Sequence, residues 1–297
     1  AQGNDNLGTY YASKGLYTIV SNLGENALVS DRMATPNLKW ETNLNFNVGV
    51  DFSLFNNRFS GSFDFFTRRS KDLLYSRPIA PSLGYGSIDE NVGALKNTGI
   101  EMVLNGTIIN QNGWVWKLGM NLTHYKNVVT DLPLKDMPVS GVHKLAVGRS
   151  VYDFYMKQWA GVDPENGDPL WYKNVKDAND KITGRTTTND YAQADYYYTG
   201  KSSLPKVYGG FNTAFSYKGF ELSTIFAYSI GNYIVDRDVT MLWHNGSSTG
   251  RAWSTEILNR WTPENRYTDV PALKTVSNSW NANSTRNLFN NSFLRMK

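Results

Sequence analysis

The residues best suited to chemistry lie in the segment 127–204, which gathers Tyr152, Phe154, Tyr155, Trp159, Trp171, Tyr172, Tyr191 and the run Tyr196-Tyr197-Tyr198. Aromatic faces with polar tips suit contact with a sugar or a peptide at a wet surface. The same rings can instead pack loops together or against a partner protein, and both roles stand at this point. Nothing near them points to bond-making. His124, His143 and His244 are far apart and show no metal-ligand spacing. No Gly-x-Ser-x-Gly elbow or Walker loop occurs, and Gly84-Tyr85-Gly86 and Asp89-Glu90 stand alone. With no cysteine, thiolate catalysis, disulfides and cysteine metal sites are absent. Asp163, Glu165, Asn166 and Asp168 offer oxygens around Gly167, but they lack the spacing and terminal Glu of an EF-hand. The segment 163–169 reads instead as a hairpin turn between 158–162 and 170–172. The expectation is no catalytic residue, no cofactor and no metal.

The elements that must hold these loops are strands. Positions 40 to 54 alternate: Trp40, Thr42, Leu44, Phe46, Val48, Val50, Phe52 and Leu54 on one face, Glu41, Asn43, Asn45, Asn47, Gly49, Asp51 and Ser53 on the other. A strand over 38–54 far exceeds the ordinary length of about 5–6 residues and meets the roughly 9–11 that cross a membrane. A tight turn at 55–58 leads to a second strand with Phe59, Gly61, Phe63, Phe65 and Thr67 on its apolar side; Phe66 breaks the pattern on the other. A third strand starts at Ile100, a turn at 110–113 follows, and Trp114, Trp116, Leu118, Met120 and Leu122 mark a fourth. Two more strands, 211–217 and 220–230, flank a short Lys218-Gly219 turn, and 291–297 reads as the start of a seventh.

No charged residue falls on the apolar face of the six full strands so assigned, whereas Glu41, Asp51, Asp64, Glu101 and Glu221 lie on the other face. An Arg or Lys facing lipid near the midplane costs roughly 2–4 kcal/mol, so this pattern reads as lipid outside and water or a plug inside. A β-sandwich also alternates, but with shorter strands and no reason to alternate tiny and long connections. Here 55–58, 110–113 and 218–219 are tiny, whereas 70–98, 127–204 and 232–290 are long. Short periplasmic turns and long extracellular loops are the habit of outer-membrane barrels. Phe52, Phe55, Phe59, Trp114, Trp116, Tyr217 and Phe220 then form an aromatic girdle at the periplasmic rim. The inward carboxylates line a path or anchor a plug.

Composition agrees with this reading. Mean hydropathy of −0.45 looks like that of a soluble protein, and no apolar run reaches the roughly 18 residues of a helical span, yet barrels dilute their lipid-facing residues in the same way. Aromatic residues make up 14% of the 297-residue chain, and the net charge of +4 contains no basic run, which argues against nucleic acid. Ala1-Gln2-Gly3-Asn4 has neither the basic head nor the apolar stretch of an export signal. In 251–261, Trp253, Ile257 and Trp261 share a helical face that Pro263 ends, so a short helix is expected there as a loop clamp.

Several segments carry a resemblance. Asn37-Leu38-Lys39-Trp40-Glu41-Thr42, Asn47-Val48-Gly49-Val50-Asp51-Phe52 and Leu54-Phe55-Asn56-Asn57-Arg58-Phe59-Ser60-Gly61 come first. Then follow Lys71-Asp72-Leu73-Leu74, Asn91-Val92-Gly93 and Asn97-Thr98-Gly99-Ile100-Glu101. Gly161-Val162-Asp163-Pro164-Glu165-Asn166-Gly167-Asp168-Pro169, Gly200-Lys201-Ser202-Ser203-Leu204-Pro205-Lys206 and Ser292-Phe293-Leu294-Arg295-Met296-Lys297 complete the set. In order and together, these resemble the C-terminal barrel half of SusC/RagA-type TonB-dependent transporters. The resemblance implies an all-β fold, part of an antiparallel transmembrane barrel of about 22 strands filled by a plug.

It also implies a SusD-like surface lipoprotein as lid, energy from TonB–ExbB–ExbD, and import of glycan fragments or oligopeptides across a Gram-negative outer membrane. On this reading residues 1–297 are a partial barrel, with the plug, the TonB-contacting region, the first strands and the last strands outside the chain. A passive porin, a siderophore receptor, or a secreted lectin or glycosidase would be the rivals.

Overall fold

The computed structural model describes residues 13–134, 137, 139–246, 250–274 and 282–297. The opening Ala1-Gln2-Gly3-Asn4, read above as no export signal, lies outside the described residues.

The alternation does produce a sheet. Its strands are β1 (Thr42–Leu54), β2 (Phe59–Lys71), β3 (Ala94–Gln111), β4 (Trp114–Asp131), β5 (Val207–Tyr217), β6 (Phe220–Ile230) and β7 (Phe293–Met296). They lie in the order β7-β6-β5-β4-β3-β2-β1, so each is hydrogen-bonded to its neighbour in sequence. The register places Val50, Phe63, Met102 and Leu122 in one cross-strand row and Asp51, Ser62, Val103 and Asn121 in the next. Phe46, Val48, Val50, Phe63 and Met120 stand exposed on the first face. Apolar area on that scale calls for an apolar medium or a partner.

The turns use left-handed backbone. Phe55, Asn56 and Asn57 have φ of 54°, 55° and 64°, which Asn tolerates better than most residues. Asn112 and Gly113 (φ 53° and 80°), and Lys218 and Gly219 (46° and 90°), form two-residue turns with both residues left-handed, whose twist suits a hairpin. The second turn is therefore shorter than the expected 110–113. Phe66 breaks the alternation for a local reason. It is buried, with Tyr125 at 6.4 Å, and covers Gly99, where a Cβ would lie 2.8 Å from Phe66 Cζ.

Some strand limits differ from the sequence reading. β1 begins at Thr42, not Leu38, because the Asn91 side chain takes both backbone groups of Lys39 (2.7 Å each) and Glu41 accepts the Leu74 N–H at 2.9 Å. β3 and β4 reach 18 residues each, running into the segments expected to be loops. At about 3.4 Å per residue such a strand spans roughly 60 Å. A hairpin of Leu74–Pro78 with Ser87–Asn91, clamped by Arg77 and Glu90 through two 2.9 Å bonds, occupies much of 70–98. Another, Leu16–Asn22 with Glu25–Arg32, was not expected.

Contacts divide the chain into two compact units. One comprises Ala1–Met137, Leu145–Val151 and Gly209–Ile225; the other comprises Pro138–Lys144, Tyr152–Tyr208 and Phe226–Lys297. In the second, Asp153–Lys157 pairs with Tyr196–Ser202, and Trp159–Val162, Pro169–Lys176 and Ile182–Thr188 form a three-stranded sheet. The segment 163–169 is the hairpin turn expected, with Val162 opposite Pro169. Gly167 has φ of 75°, and a Cβ there would lie 2.6 Å from Trp261 Cδ2, so no larger residue fits without movement.

The expected helix over 251–261 is instead a 3-10 turn, Thr255–Asn259. Its would-be face is pulled apart: Trp253 donates to His244 Nδ1 (3.0 Å), Trp261 to Pro164 O (3.1 Å), and Ile257 alone is buried within the turn. A short α-helix lies earlier, at Arg237–Leu242, where Asp236 accepts the N–H groups of Asp238 and Val239 at 3.0 Å.

Candidate functional site

The second unit brings most of the loop aromatics together in a platform. Antiparallel pairing sets Lys157 opposite Tyr196, Met156 opposite Tyr197 and Tyr155 opposite Tyr198. Tyr155 stacks on Tyr196 at 5.6 Å and meets Tyr198 at 4.7 Å, with the Lys144 ammonium 5.2 Å from the Tyr155 ring. Tyr197 donates to Asn174 at 2.8 Å beneath the Arg185 guanidinium. Tyr198 donates to the Lys144 carbonyl at 3.2 Å.

Trp171 has no exposed surface and makes edge contacts with Trp159 (5.8 Å) and Tyr191 (5.2 Å). Its work is packing. Tyr172 is half-buried and its backbone is engaged on both sides, by Gln158 and Asp195. Tyr152 and Tyr196 are the exposed members, at 41% and 37%.

Lys157 sits buried in this aromatic cluster. Its ammonium donates to the carbonyls of Tyr191 and Ala192 and lies 4.2 Å from the Tyr191 ring and 5.2 Å from that of Tyr196. Burial pulls its pKa below the ordinary lysine value against the upward pull of Asp190 and Asp195. Burial also pushes the Tyr191 phenol up to about 12.

Beside the platform opens a cavity of about 670 Å³, within the usual range of roughly 300–1,000 Å³ for ligand sites. Trp159, Trp243, Glu256, Asn259, Asp269 and Arg286 are among its walls. Arg286 lies between two indoles, 4.3 Å from the Trp243 ring and 5.2 Å from that of Trp159. Burial lowers its pKa to about 10, while Glu256 and Asp269 act to hold it up, so it stays charged at neutral pH. The cavity therefore offers aromatic faces, one cation and two carboxylates.

Of the residues singled out from sequence, only Trp159 lines this cavity. Trp243, Glu256, Asp269 and Arg286 were missed, and no local pattern marks them; they meet through long-range contacts such as Trp159 N–H to Thr285 Oγ1 at 2.9 Å.

The turn 163–169 uses its own oxygens. Asp163 accepts the Glu165 N–H (2.9 Å) and Asn166 accepts the Asp168 N–H (2.8 Å). Asp168 holds Lys274 and accepts from Asn189 at 3.0 Å. Burial raises the Asp168 pKa, but those hydrogen bonds outweigh it and leave the carboxyl below its ordinary value. A depressed folded-state pKa gives stability that is complete above the unfolded value near 3.9 and is lost as pH falls through the folded value. Hydrogen-exchange protection across 163–172, measured against the intrinsic rate at each pH, is therefore expected to fall below about pH 4. Asp168→Asn should abolish that acid limb; an unchanged limb would show that Asp168 is not its source.

In the sheet, Asp51, Asp64 and Glu101 lie on the polar face and Glu221 is in β6, while Glu41 precedes β1 and is held by Leu74. Asp64 stands directly opposite Glu101 and over Gly49, where a Cβ would collide with the Asp64 carboxylate. At the turn end, Trp114 stacks on Tyr217 (3.7 Å), Phe52 meets Phe59 (5.6 Å), and Trp116 donates to Thr213 (2.8 Å).

The family model described as "TonB dependent receptor-like, beta-barrel" matches residues 2–214. The chain belongs to the TonB-dependent receptor β-barrel family. Its sheet is accordingly part of an antiparallel transmembrane barrel. TonB-dependent receptor P3 of Formosa agariphila is 28% identical over 289 residues, covering 91% of this chain and 28% of that protein. TonB-dependent receptor SusC of Bacteroides thetaiotaomicron is 26% identical over 254 residues, covering 78% and 24%. The solved RagAB peptide importer in its closed-closed state superposes with a TM-score of 0.81 at 31% identity, over 97% of this chain and 32% of that one. The chain thus spans less than a third of the length of each of these relatives. These relatives bear the names of receptors and importers, and members of the family are outer-membrane proteins.

Proposed function

We propose that this chain is the C-terminal barrel portion of a longer TonB-dependent receptor that imports oligomeric nutrients, oligopeptides first and glycan fragments as the second reading. A SusD-like surface lipoprotein serves as lid, and the TonB–ExbB–ExbD complex supplies energy through a part of the protein outside this chain. The observation that carries the reading is the match to the RagAB peptide importer over 97% of the chain. The cavity supports the peptide reading: a zwitterionic oligomer can meet Glu256 and Asp269 with its amines, and apolar side chains can meet Trp159 and Trp243. Glycans would use the same indoles without needing the carboxylates.

The test is to purify the complete receptor from native membranes, identify what co-purifies, and titrate peptide and glycan mixtures. A co-purifying lipoprotein and retained peptides are expected. Glu256→Gln with Asp269→Asn should weaken peptide binding about tenfold or more, since hydrogen bonds to charged groups contribute about 1.5–3 kcal/mol. Retention of glycans unaffected by the double variant would overturn the peptide reading. Retention of neither class would overturn the import of oligomers.

A further inference from the structure

The longer strands of the structure bring cations onto the face that the shorter sequence assignments left uncharged. Arg69 in β2 stands directly opposite Lys96 in β3. Lys96 in turn is opposite Val128 in β4, and the next row runs Phe46, Thr67, Thr98, Lys126. Lys71 lies two residues beyond Arg69 on the same side, opposite Thr42. Arg69, Lys96 and Lys126 are exposed, Lys71 is half-exposed, and all four share the face of Val50, Phe63, Met102 and Leu122. They cluster at the end of that face remote from the short turns. The carboxylates Asp51, Asp64 and Glu101 lie on the opposite face, and Asp131 stands at the strand end opposite Ala94.

Two physical facts give this cluster a meaning. Like charges directly opposite each other across an antiparallel pair are destabilising, so Arg69 beside Lys96 costs stability unless an anion lies between them. And long cationic side chains at the edge of an apolar belt extend their heads to the interface, where lipid phosphates lie. We propose that Arg69, Lys71, Lys96 and Lys126 form a site for a phosphate-bearing lipid headgroup in the leaflet on the long-loop side of the membrane. The proposal rests on the outward, lipid-facing reading of the apolar face. The headgroup phosphate bridges Arg69 and Lys96, the acyl chains lie over the Phe63–Met102–Leu122 row, and Lys71 and Lys126 flank the anion.

The experiment uses the complete receptor in an uncharged detergent, probed by native mass spectrometry and thermal unfolding. The ligands are lipid A bearing its phosphates, dephosphorylated lipid A and inorganic phosphate. Phosphorylated lipid A should be retained and should raise the unfolding midpoint; the other two should do neither. Arg69→Gln with Lys96→Gln should reduce retention about tenfold. The same variant should unfold no earlier than the parent in lipid-free detergent, because its like-charge repulsion is gone, whereas a merely structural role would lower its midpoint. Arg68→Gln, on the opposite face, should retain lipid as the parent does.

Equal retention by the double variant, or of dephosphorylated lipid A, would overturn the site. Full competition by inorganic phosphate would replace a lipid site with a simple anion site. Quenching of Trp116 by brominated acyl chains separates the two failures. Quenching without lipid A retention removes only this proposal, and no quenching removes the lipid-facing reading beneath it.

Discussion

Trp171→Ala is expected to cost the loop unit about 3–5 kcal/mol, the range for emptying a fully buried aromatic site. Trp171 has no exposed surface, sits in the middle strand of a three-stranded sheet, and touches Trp159 on one side and Tyr191 on the other. Removing it leaves a cavity beside Tyr191, whose carbonyl and ring hold the Lys157 ammonium. It also unseats Trp159, one wall of the ligand-sized cavity. Hydrogen exchange is the measurement: protection over 153–202 should fall in the variant while β1 to β4 exchange as before. Trp171→Phe should lose much less, because the Trp171 indole N–H has no hydrogen-bond partner among the described residues and only volume changes. Unchanged protection in the alanine variant would show that the platform does not rest on this residue.

A charge at Val50 should be nearly as damaging, in a different unit and for a different reason. Val50 is 64% exposed in a row with Phe63, Met102 and Leu122. An arginine there faces hydrocarbon at a cost of roughly 2–4 kcal/mol. Asn47→Arg, on the polar face, should cost little. The readout is the fraction of the complete receptor that runs as a folded, heat-modifiable band from outer membranes. A marked drop for Val50→Arg alone is expected. Equal behaviour of the two variants would mean that this face does not meet lipid.

The strands were legible because two-sided surroundings impose period two on the sequence, and the strands that carry Val50, Phe63, Met102 and Leu122 largely obey it. The pattern fails where surroundings change. Residues 94–99 and 126–131 place Lys96, Thr98 and Lys126 on the outward face, so the sequence reads there as loop although the ladder continues. At the other limit, Leu38 to Glu41 alternate well but lose the ladder to the side chain of Asn91, a distant competitor that no local pattern reveals. The hairpin at 163–169 was legible from Asn166-Gly167, since few residues other than glycine accept that backbone. The cavity was not. Arg286 and Trp243 meet Trp159 through tertiary contacts, and nothing in their own neighbourhoods distinguishes them from ordinary loop residues.

The meander order bears on how the protein is made. Three pairings of the large sheet, β1–β2, β3–β4 and β5–β6, close across turns of a few residues, so these hairpins can form with little loop entropy to overcome, whereas β2–β3, β4–β5 and β6–β7 must close across long segments. The second unit is the opposite case: Trp159 bonds to Thr285, and Lys157 bridges to Ser284, across more than a hundred residues. Its pieces must therefore wait until Ser284 and Thr285 have been synthesised. During assembly, the three tight hairpins should acquire protection before the second unit, which leaves that unit as the last part to mature and the first exposed to proteases when assembly stalls.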